Sequence, residues 1–201
     1  MRAAPPKLLV LDGQGVVFDA PIKRFVRQFA TTNGIDFDAA IRRWEGGLRE
    51  QAWRGLITDA QLWDGLAGRE VDTAQTMRCL QESYKPGLAH AHLAGWSRLM
   101  PIWLLSNHRS AWLKPYLEAT SAASSFDRLL ISDVTGHIKP ENRAFTQLLD
   151  ADIAPADILF VDDQPHNVRA AQRIGLKTIL AAPSQSWVAQ IAAALLSTEQ
   201  S

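Results

Sequence analysis

Five short runs of apolar residues, rich in Leu, Ile and Val, divide the chain into segments of alternating character. The runs are Leu8–Leu11, Ile102–Leu105, Leu129–Ile131, Ile158–Val161 and Thr178–Leu180. Uninterrupted apolar runs of this length are typical of parallel strands that are buried on both faces of a sheet. Segments with helical apolar spacing follow two of the runs, one from near Pro140 and one from about Asn167 to Ile174. This alternation predicts an α/β fold with an open parallel sheet and crossover helices.

The spacing of the runs is uneven, because about ninety residues separate the first from the second. A strand–helix–strand connection needs far fewer. Over residues 18–86 the apolar positions follow helical spacing, and Thr58-Asp59-Ala60-Gln61 is typical of a helix start. We therefore predict two units, an α/β core of residues 1–17 and 87–201 and a helical cap of residues 18–86.

Composition narrows the class of protein. The 201 residues include 21 Lys and Arg against 21 Asp and Glu, so the formal net charge is zero, which gives no electrostatic basis for binding nucleic acid or an anionic membrane. Cys79 is the single cysteine, which excludes an intramolecular disulfide and a cysteine-based zinc site. No apolar run reaches membrane-spanning length. We expect a soluble, cytoplasmic protein, monomeric or homodimeric.

Polar residues directly follow four of the five apolar runs. They are Asp12 after the first run, Ser106-Asn107-His108 after the second, a loop leading to Lys139 after the third and Asp162-Asp163 after the fourth. In an open parallel sheet, ligands bind beyond the carboxyl ends of the strands, so these side chains are the first candidates for chemistry. The pattern predicts that they meet at one edge of the sheet.

The combination of side chains at this edge favours phosphoryl chemistry. Three carboxylates, those of Asp12, Asp162 and Asp163, are suited to a hard divalent cation, for which Mg²⁺ is the natural choice. Lys139 and Ser106 are suited to the oxygens of an anionic group. A carboxylate beside a metal and a lysine is also a possible nucleophile toward phosphorus.

The segments that carry these residues resemble the four motifs of the haloacid dehalogenase-like (HAD) hydrolase superfamily, in its capped subfamily I. The motifs are Leu8–Asp19, Trp103–Asn107, Gly136–Glu141 and Ile158–Asp163, with Asn167 following the last. The resemblance covers nearly the whole chain and includes a helical insert of C1 type after the first motif. It implies a Rossmann-like, three-layer sandwich with an inserted helical cap.

The resemblance also implies a role for each site residue. Asp12 matches the nucleophile that forms an aspartyl-phosphate, while Ser106 and Lys139 match the groups that bind the phosphoryl oxygens. Asp162 matches the direct acidic ligand of Mg²⁺, Asp163 matches a second ligand or a residue that holds a water, and Asp12 completes the metal site. The implied substrate is a phosphorylated small molecule.

One position departs from the pattern of the superfamily. Its phosphatases carry a second Asp two residues after the nucleophile, which protonates the leaving oxygen and later activates water; here that residue is Gln14. The backbone carbonyl of Gln14 still matches a metal ligand, but its carboxamide cannot shuttle a proton. Loss of such an acid and base typically costs about 10²–10⁴-fold in rate. Hydrolysis of alkyl phosphates should therefore be slow or absent.

Three hypotheses follow from this substitution. The first is a phosphatase whose substrate has a good leaving group, such as an acyl or aryl phosphate, or supplies its own acid. The second is an atypical enzyme that needs Mg²⁺ and an anion site but no protonated leaving group, as in phosphoryl transfer or diphosphate ionisation. The third is a catalytically silent binding protein, which we favour least because the other site residues are retained.

Other motif interpretations fit the sequence less well. Gly13-Gln14-Gly15 after a strand resembles a dinucleotide-binding turn, but Phe18 stands where a third small residue is needed. Dehalogenation of haloacids does not need the acidic pair Asp162-Asp163. A response-regulator receiver places its acidic pair near the N-terminus and lacks a long insert.

The cap is expected to close over the site and select the substrate. Its tryptophans are expected to pack the small helical core and its arginines to be solvated; these are Trp44, Trp53 and Trp63 with Arg49 and Arg54. If one arginine faces the site, Arg49 is the candidate. The remaining expected substrate contacts are Gly13, Asn107 and His108, and His108 is also a candidate for the proton that Gln14 cannot supply.

Overall fold

A five-stranded parallel sheet forms the centre of the protein, whose computed structural model describes residues 5–19, 22–184 and 186–195. The strands are β1 (Leu8–Leu11), β2 (Phe18–Asp19), β3 (Lys85–Pro86), β4 (Ile102–Ser106), β5 (Arg128–Ile131), β6 (Ile158–Asp162) and β7 (Lys177–Leu180). The sheet has the order β5-β4-β1-β6-β7, while β2 and β3 form an antiparallel ribbon. Each of the five predicted strands is confirmed, with bounds within one residue of those expected.

Helices occupy most of the remaining described chain. They are α1 (Ile22–Thr32), α2 (Phe37–Arg43), α3 (Arg49–Trp53), α4 (Asp59–Ala67), α5 (Thr73–Ser83), α6 (Leu93–Trp96), α7 (Ser110–Ala119), α8 (Ser132–Thr135), α9 (Asn142–Thr146), α10 (Pro165–Arg173) and α11 (Ser186–Leu195). The segment Trp44–Leu48 joins α2 to α3 and contains a kink at Gly47, where φ is 127°. Within the described residues, no helix has the length and apolar character needed to cross a membrane.

Alternation of side chains along the strands divides the interior into two layers. Leu9 and Leu11 point to the face covered by α7 and α11, whereas Leu8 and Val10 point to the face covered by α10. All four residues of β1 are fully buried. Because both faces are covered, the strand needs apolar residues at every position, which explains the uninterrupted run in the sequence. The chain is therefore a Rossmann-like three-layer α/β sandwich.

In chain order, helices α1 to α5 come between β2 and β3, the two strands of the antiparallel ribbon. Helix α4 begins with the predicted start, since the Thr58 hydroxyl accepts from Gln61 N while the Gln61 side chain accepts from Thr58 N. Trp63 in α4 stacks on Trp112 in α7, with ring centroids 5.1 Å apart. The apolar interior is thus continuous from these helices to the sheet, and its division into a core and a cap of residues 18–86 stays our proposal.

Two helices differ from the sequence expectation at their ends. The helix expected near Pro140 begins at Asn142 and continues beyond Thr146 as a 3₁₀-helix. Helix α10 begins at Pro165, because Pro fits the first helical turn, and it ends just before Gly175, which has φ 89°.

Candidate active site

Three carboxylates converge at the carboxyl edge of the sheet. Strand register places Leu11 beside Val161, so Asp12, which follows β1, and Asp162, the last residue of β6, lie at the same level. The side-chain oxygens of Asp12, Asp162 and Asp163 all lie within 4.8 Å of one another. Asp162 is fully buried and Asp12 nearly so. Buried like charges at this separation repel each other, so a proton or a cation that offsets part of the charge is favourable.

Lys139 supplies one such positive charge. Its Nζ lies 2.7 Å from Asp12 Oδ1 and 2.6 Å from Asp162 Oδ2, and the side chain is almost completely buried. Burial lowers the pKa of the ammonium, but the charges of Asp12 and Asp162 outweigh burial and hold this pKa above its ordinary value. Lys139 is therefore protonated throughout the neutral range.

Hydrogen bonds fix both Lys139 and Asp162 in place. Asn107 Nδ2 donates to Lys139 O at 2.8 Å, and Lys139 N donates to Asn107 Oδ1 at 2.7 Å. Asn167 Nδ2 and Gln164 N donate to the Asp162 carboxylate at 2.8 to 3.1 Å. The Asn107 side chain therefore holds the backbone of Lys139, and its expected contact with substrate stays a prediction.

The carboxyl groups of Asp12 and Asp163 have raised pKa values. Burial raises the pKa of Asp12 to about 7; the Asp162 charge adds to this effect and the Lys139 charge opposes it. Burial also raises the pKa of Asp163, which lies closer to solvent. A further positive charge nearby would stabilise the ionised form of both carboxylates. This is the electrostatic condition that favours cation binding.

Ser106 lies at the end of β4 and is buried at 2% exposure. Among the described residues its hydroxyl has no hydrogen-bond partner, so it is available to an oxygen-rich ligand. Gly13 allows this hydroxyl to approach β1, because a Cβ at Gly13 would lie 2.6 Å from Ser106 Oγ. Gly13 N itself donates to Asp12 Oδ1 at 2.6 Å. The site thus combines carboxylates, an ammonium and a free hydroxyl.

A small cavity, partly open to solvent, lies beside these groups and beneath the helices that precede β3. Its lining consists of Gln14, Ile22, Phe25, Trp53, Leu80, Ser83, Tyr84, His108 and Trp112. Among these described residues none carries a formal charge at neutral pH, because burial lowers the pKa of His108 to about 4 and the nearby Arg109 charge adds to this effect. The cavity accordingly suits a small and largely apolar group.

The structure does not place Arg49 in this cavity. Arg49 is exposed, and its guanidinium lies 5.3 Å from the ring centroid of Trp53. Arg54, which we expected to be solvated, instead pairs with Glu141. Trp53 lines the cavity, whereas Trp44 and Trp63 are buried in the apolar interior as expected.

Arg109 links the start of α7 to the helices that precede β3, and sequence reasoning missed it. Its Nε lies 2.7 Å from Asp59 Oδ1, and Nη1 donates to Ile57 O and Ala52 O. Trp112 Nε1 donates to the same Asp59 carboxylate. Nothing in the sequence distinguishes Arg109 from other arginines except its position next to His108.

Comparison with known proteins identifies the family. The family model described as haloacid dehalogenase-like hydrolase matches residues 9–175. The chain belongs to this family. It is 23% identical over 200 residues to the D-ribitol-5-phosphate phosphatase of Bacteroides thetaiotaomicron, covering 90% of this chain and 94% of that protein.

Two solved structures of HAD proteins show the same fold. One is a HAD family enzyme of Bacteroides thetaiotaomicron in complex with magnesium and inorganic phosphate, with a TM-score of 0.77, 23% identity, and coverage of 91% of this chain and 98% of that one. The other is a predicted HAD-like hydrolase of Porphyromonas gingivalis, with a TM-score of 0.76, 20% identity, and coverage of 96% and 99%. These likenesses confirm the predicted fold class, and the family match confirms the predicted superfamily.

Proposed function

We propose that this HAD hydrolase is a Mg²⁺-dependent phosphatase that acts on a small phosphorylated molecule through Asp12. The observation that carries the proposal is the cluster of Asp12, Lys139 and Asp162 within 2.7 Å contacts, with the free hydroxyl of Ser106 at the same sheet edge. A buried carboxylate held by a lysine is a suitable nucleophile for an electron-poor phosphorus. A related HAD enzyme crystallised with magnesium and inorganic phosphate supports the ligands proposed here.

The residues present fit a magnesium ion. Asp12, Asp162 and Asp163 offer an all-oxygen donor set within 4.8 Å, and the carbonyl of Gln14 is the further ligand that we propose. The raised pKa values of Asp12 and Asp163 reflect carboxylates in need of positive charge. When bound, the ion would neutralise charge on the phosphoryl group and keep the carboxylates ionised.

The chain's own residues then divide the reaction into two steps. An Asp12 carboxylate oxygen attacks phosphorus, and the bond from phosphorus to the leaving oxygen breaks with its electron pair on that oxygen. Ser106 and Lys139 bind the phosphoryl oxygens and stabilise their charge. Water subsequently cleaves the aspartyl-phosphate, which releases phosphate and restores Asp12.

Gln14 restricts the substrates that this site can use. A carboxamide cannot protonate the leaving oxygen, so a leaving group that is stable as an anion is favoured. We therefore propose aryl and acyl phosphates over sugar and polyol phosphates. The aromatic side chains of the cavity lining, which include Phe25, Trp53 and Trp112, support the choice of an aryl phosphate because they favour contact with an aromatic ring.

The test is turnover with Mg²⁺ on p-nitrophenyl phosphate, acetyl phosphate and sugar phosphates, using the native protein, Asp12→Asn and Gln14→Asp. The proposal predicts activity on the first two substrates that Asp12→Asn abolishes, and detectable phosphorylation of Asp12 after acid quench. Turnover only in Gln14→Asp would instead favour a reaction other than phosphate hydrolysis. Binding of Mg²⁺ and phosphate without any phosphorylation of Asp12 would favour a silent binding protein.

A further inference from the structure

A tyrosine and a histidine stand at the cavity in which the proposed leaving group would lie. Tyr84 follows α5, His108 follows β4, and both line the cavity beside Gln14. The Tyr84 hydroxyl lies 3.0 Å from His108 Nε2. If Tyr84 donates in this hydrogen bond, its proton is bound to the histidine. If Tyr84 accepts, its proton is free to form a hydrogen bond with a ligand in the cavity.

The backbone around His108 settles the tautomer. Arg109 N donates to His108 Nδ1 at 2.9 Å, and no other acceptor serves this N–H group among the described residues. Arg109 O lies 3.2 Å from Nδ1, but it already accepts from the backbone N–H groups of Trp112 and Leu113 in α7. A proton on Nδ1 would leave the Arg109 N–H unsatisfied in a buried position, which costs about 1–3 kcal/mol. The proton of the neutral imidazole therefore sits on Nε2.

In this tautomer His108 cannot accept the proton of the Tyr84 hydroxyl. His108 Nε2–H donates to Tyr84 Oη, so the hydroxyl acts as the acceptor in that contact. The Tyr84 proton then has no acceptor among the described residues, and the open space next to it is the cavity. Since an unmatched buried O–H is unfavourable, this group is arranged to donate to an acceptor that enters the cavity.

Aromatic packing holds the Tyr84 ring in this orientation. Its centroid lies 5.4 Å from that of Phe18 and 5.1 Å from that of Tyr116. Phe18 in turn lies against the residue next to the nucleophile, because a Cβ at Gly13 would meet the Phe18 ring at 2.6 Å. Burial raises the pKa of Tyr84 well above its ordinary range, so the hydroxyl keeps its proton. The donor is thus packed between aromatic rings and protonated at neutral pH.

We propose that Tyr84 donates a hydrogen bond to the leaving-group oxygen of the substrate and that His108 is the positioning residue that orients it. This inference rests on the proposed phosphatase function. As the bond from phosphorus to oxygen breaks, the electron pair moves to the leaving oxygen, which departs as an anion held by the Tyr84 hydroxyl. No proton is transferred, which matches a site where Gln14 has replaced the general acid. The site would thereby select aryl phosphates, whose phenolate products are stable anions.

The test is a series of substituted phenyl phosphates whose leaving groups span a range of pKa. The measured quantity is the single-turnover rate of Asp12 phosphorylation with Mg²⁺, so that slow hydrolysis of the intermediate does not mask the effect. Tyr84→Phe should lower this rate on the order of 10²-fold for the poorest leaving group and much less for p-nitrophenyl phosphate. The rate should therefore depend more steeply on leaving-group pKa in this variant.

Matched variants separate donation from simple packing. Tyr116→Phe removes a neighbouring hydroxyl that does not line the cavity, so its dependence on leaving-group pKa should equal that of the native protein. His108→Gln keeps an N–H donor for Tyr84 and should retain most of the native behaviour. His108→Leu removes that donor and should steepen the dependence as Tyr84→Phe does.

Two different failures can be told apart. If Tyr84→Phe shows the native dependence on leaving-group pKa while Asp12→Asn is inactive, the role of Tyr84 is refuted and the proposed function stands. If Asp12→Asn retains the native rate, the proposed function itself fails. Equal losses for every leaving group in Tyr84→Phe would indicate a packing role and would also overturn the inference.

Discussion

Acid should destabilise this protein through His108 more than through any exposed histidine. The side chain is buried at 5% exposure, and burial lowers its pKa from 6.5 to about 4. In the unfolded chain the imidazole takes up a proton as the pH falls through 6.5, whereas in the folded protein it stays neutral until about pH 4. The unfolded state therefore binds more protons in this window, and stability falls as the pH is lowered.

The magnitude follows from the size of the pKa change. One pKa unit is worth about 1.4 kcal/mol, so the full effect of His108 is on the order of 3 kcal/mol. The effect is absent above about pH 7 and complete below about pH 4. Set against a typical free energy of unfolding of about 5–15 kcal/mol, it is a substantial part of the total.

The measurement is urea unfolding at several pH values between 7.5 and 4.5 for three proteins. Compared with the native protein, His108→Gln should lose roughly 2–3 kcal/mol less on acidification, because Gln takes up no proton. Tyr84→Phe keeps the buried imidazole and should follow the native curve, while the carboxylates contribute equally to all three. Parallel curves for the native protein and His108→Gln would refute the reasoning.

Three further substitutions test the packing and charge of the site. Lys139→Met leaves two buried carboxylates without their ammonium and should cost about 3–5 kcal/mol in urea unfolding at pH 7.5. Arg109→Met breaks a largely buried ion pair between α7 and the helices before β3, and should lower the free energy of unfolding by roughly 3 kcal/mol. Lys7→Ala breaks a surface ion pair and should lower it by under about 1 kcal/mol. Equal losses in the two variants would contradict this ranking. Gly15→Ala should weaken Mg²⁺ binding at least about tenfold in a calorimetric titration, because Gly15 has φ 79° and its Cβ would lie 2.6 Å from Asp163 Oδ2; unchanged affinity would exclude Asp163 as a ligand.

The strands and the residues that follow them could be predicted because the signals are local. A parallel strand covered on both faces needs only an unbroken apolar run, and β1 shows such a run at Leu8–Leu11. The carboxyl ends of parallel strands meet at one edge, so the proximity of Asp12 and Asp162 follows once the strands are known. Helix ends were less certain, as the shift from Pro140 to Asn142 at the start of α9 illustrates, because neighbouring packing contributes to where a helix begins.

The contents of the cavity depended on contacts that no local pattern encodes. Arg49 was the sequence candidate for a substrate contact, but the way its helix packs leaves this side chain over Trp53 at the surface. Tyr84 carried no recognisable motif, and it reaches His108 only because α5 packs against α7. The direction of a side chain on a helix is set by which face is buried, and that choice belongs to the tertiary structure.

By itself the sequence determined the α/β class, the order of its strands along the chain and the chemical identity of the groups at the sheet edge, because each depends on short-range periodicity or on the residue present. The substitution at Gln14 was likewise visible without coordinates. Only the tertiary structure decided which buried groups carry protons, since burial and neighbouring charges set the pKa values of Asp12 and His108. It also decided that the donor facing the cavity is Tyr84, because hydrogen-bond direction depends on partners that folding brings together from distant parts of the chain.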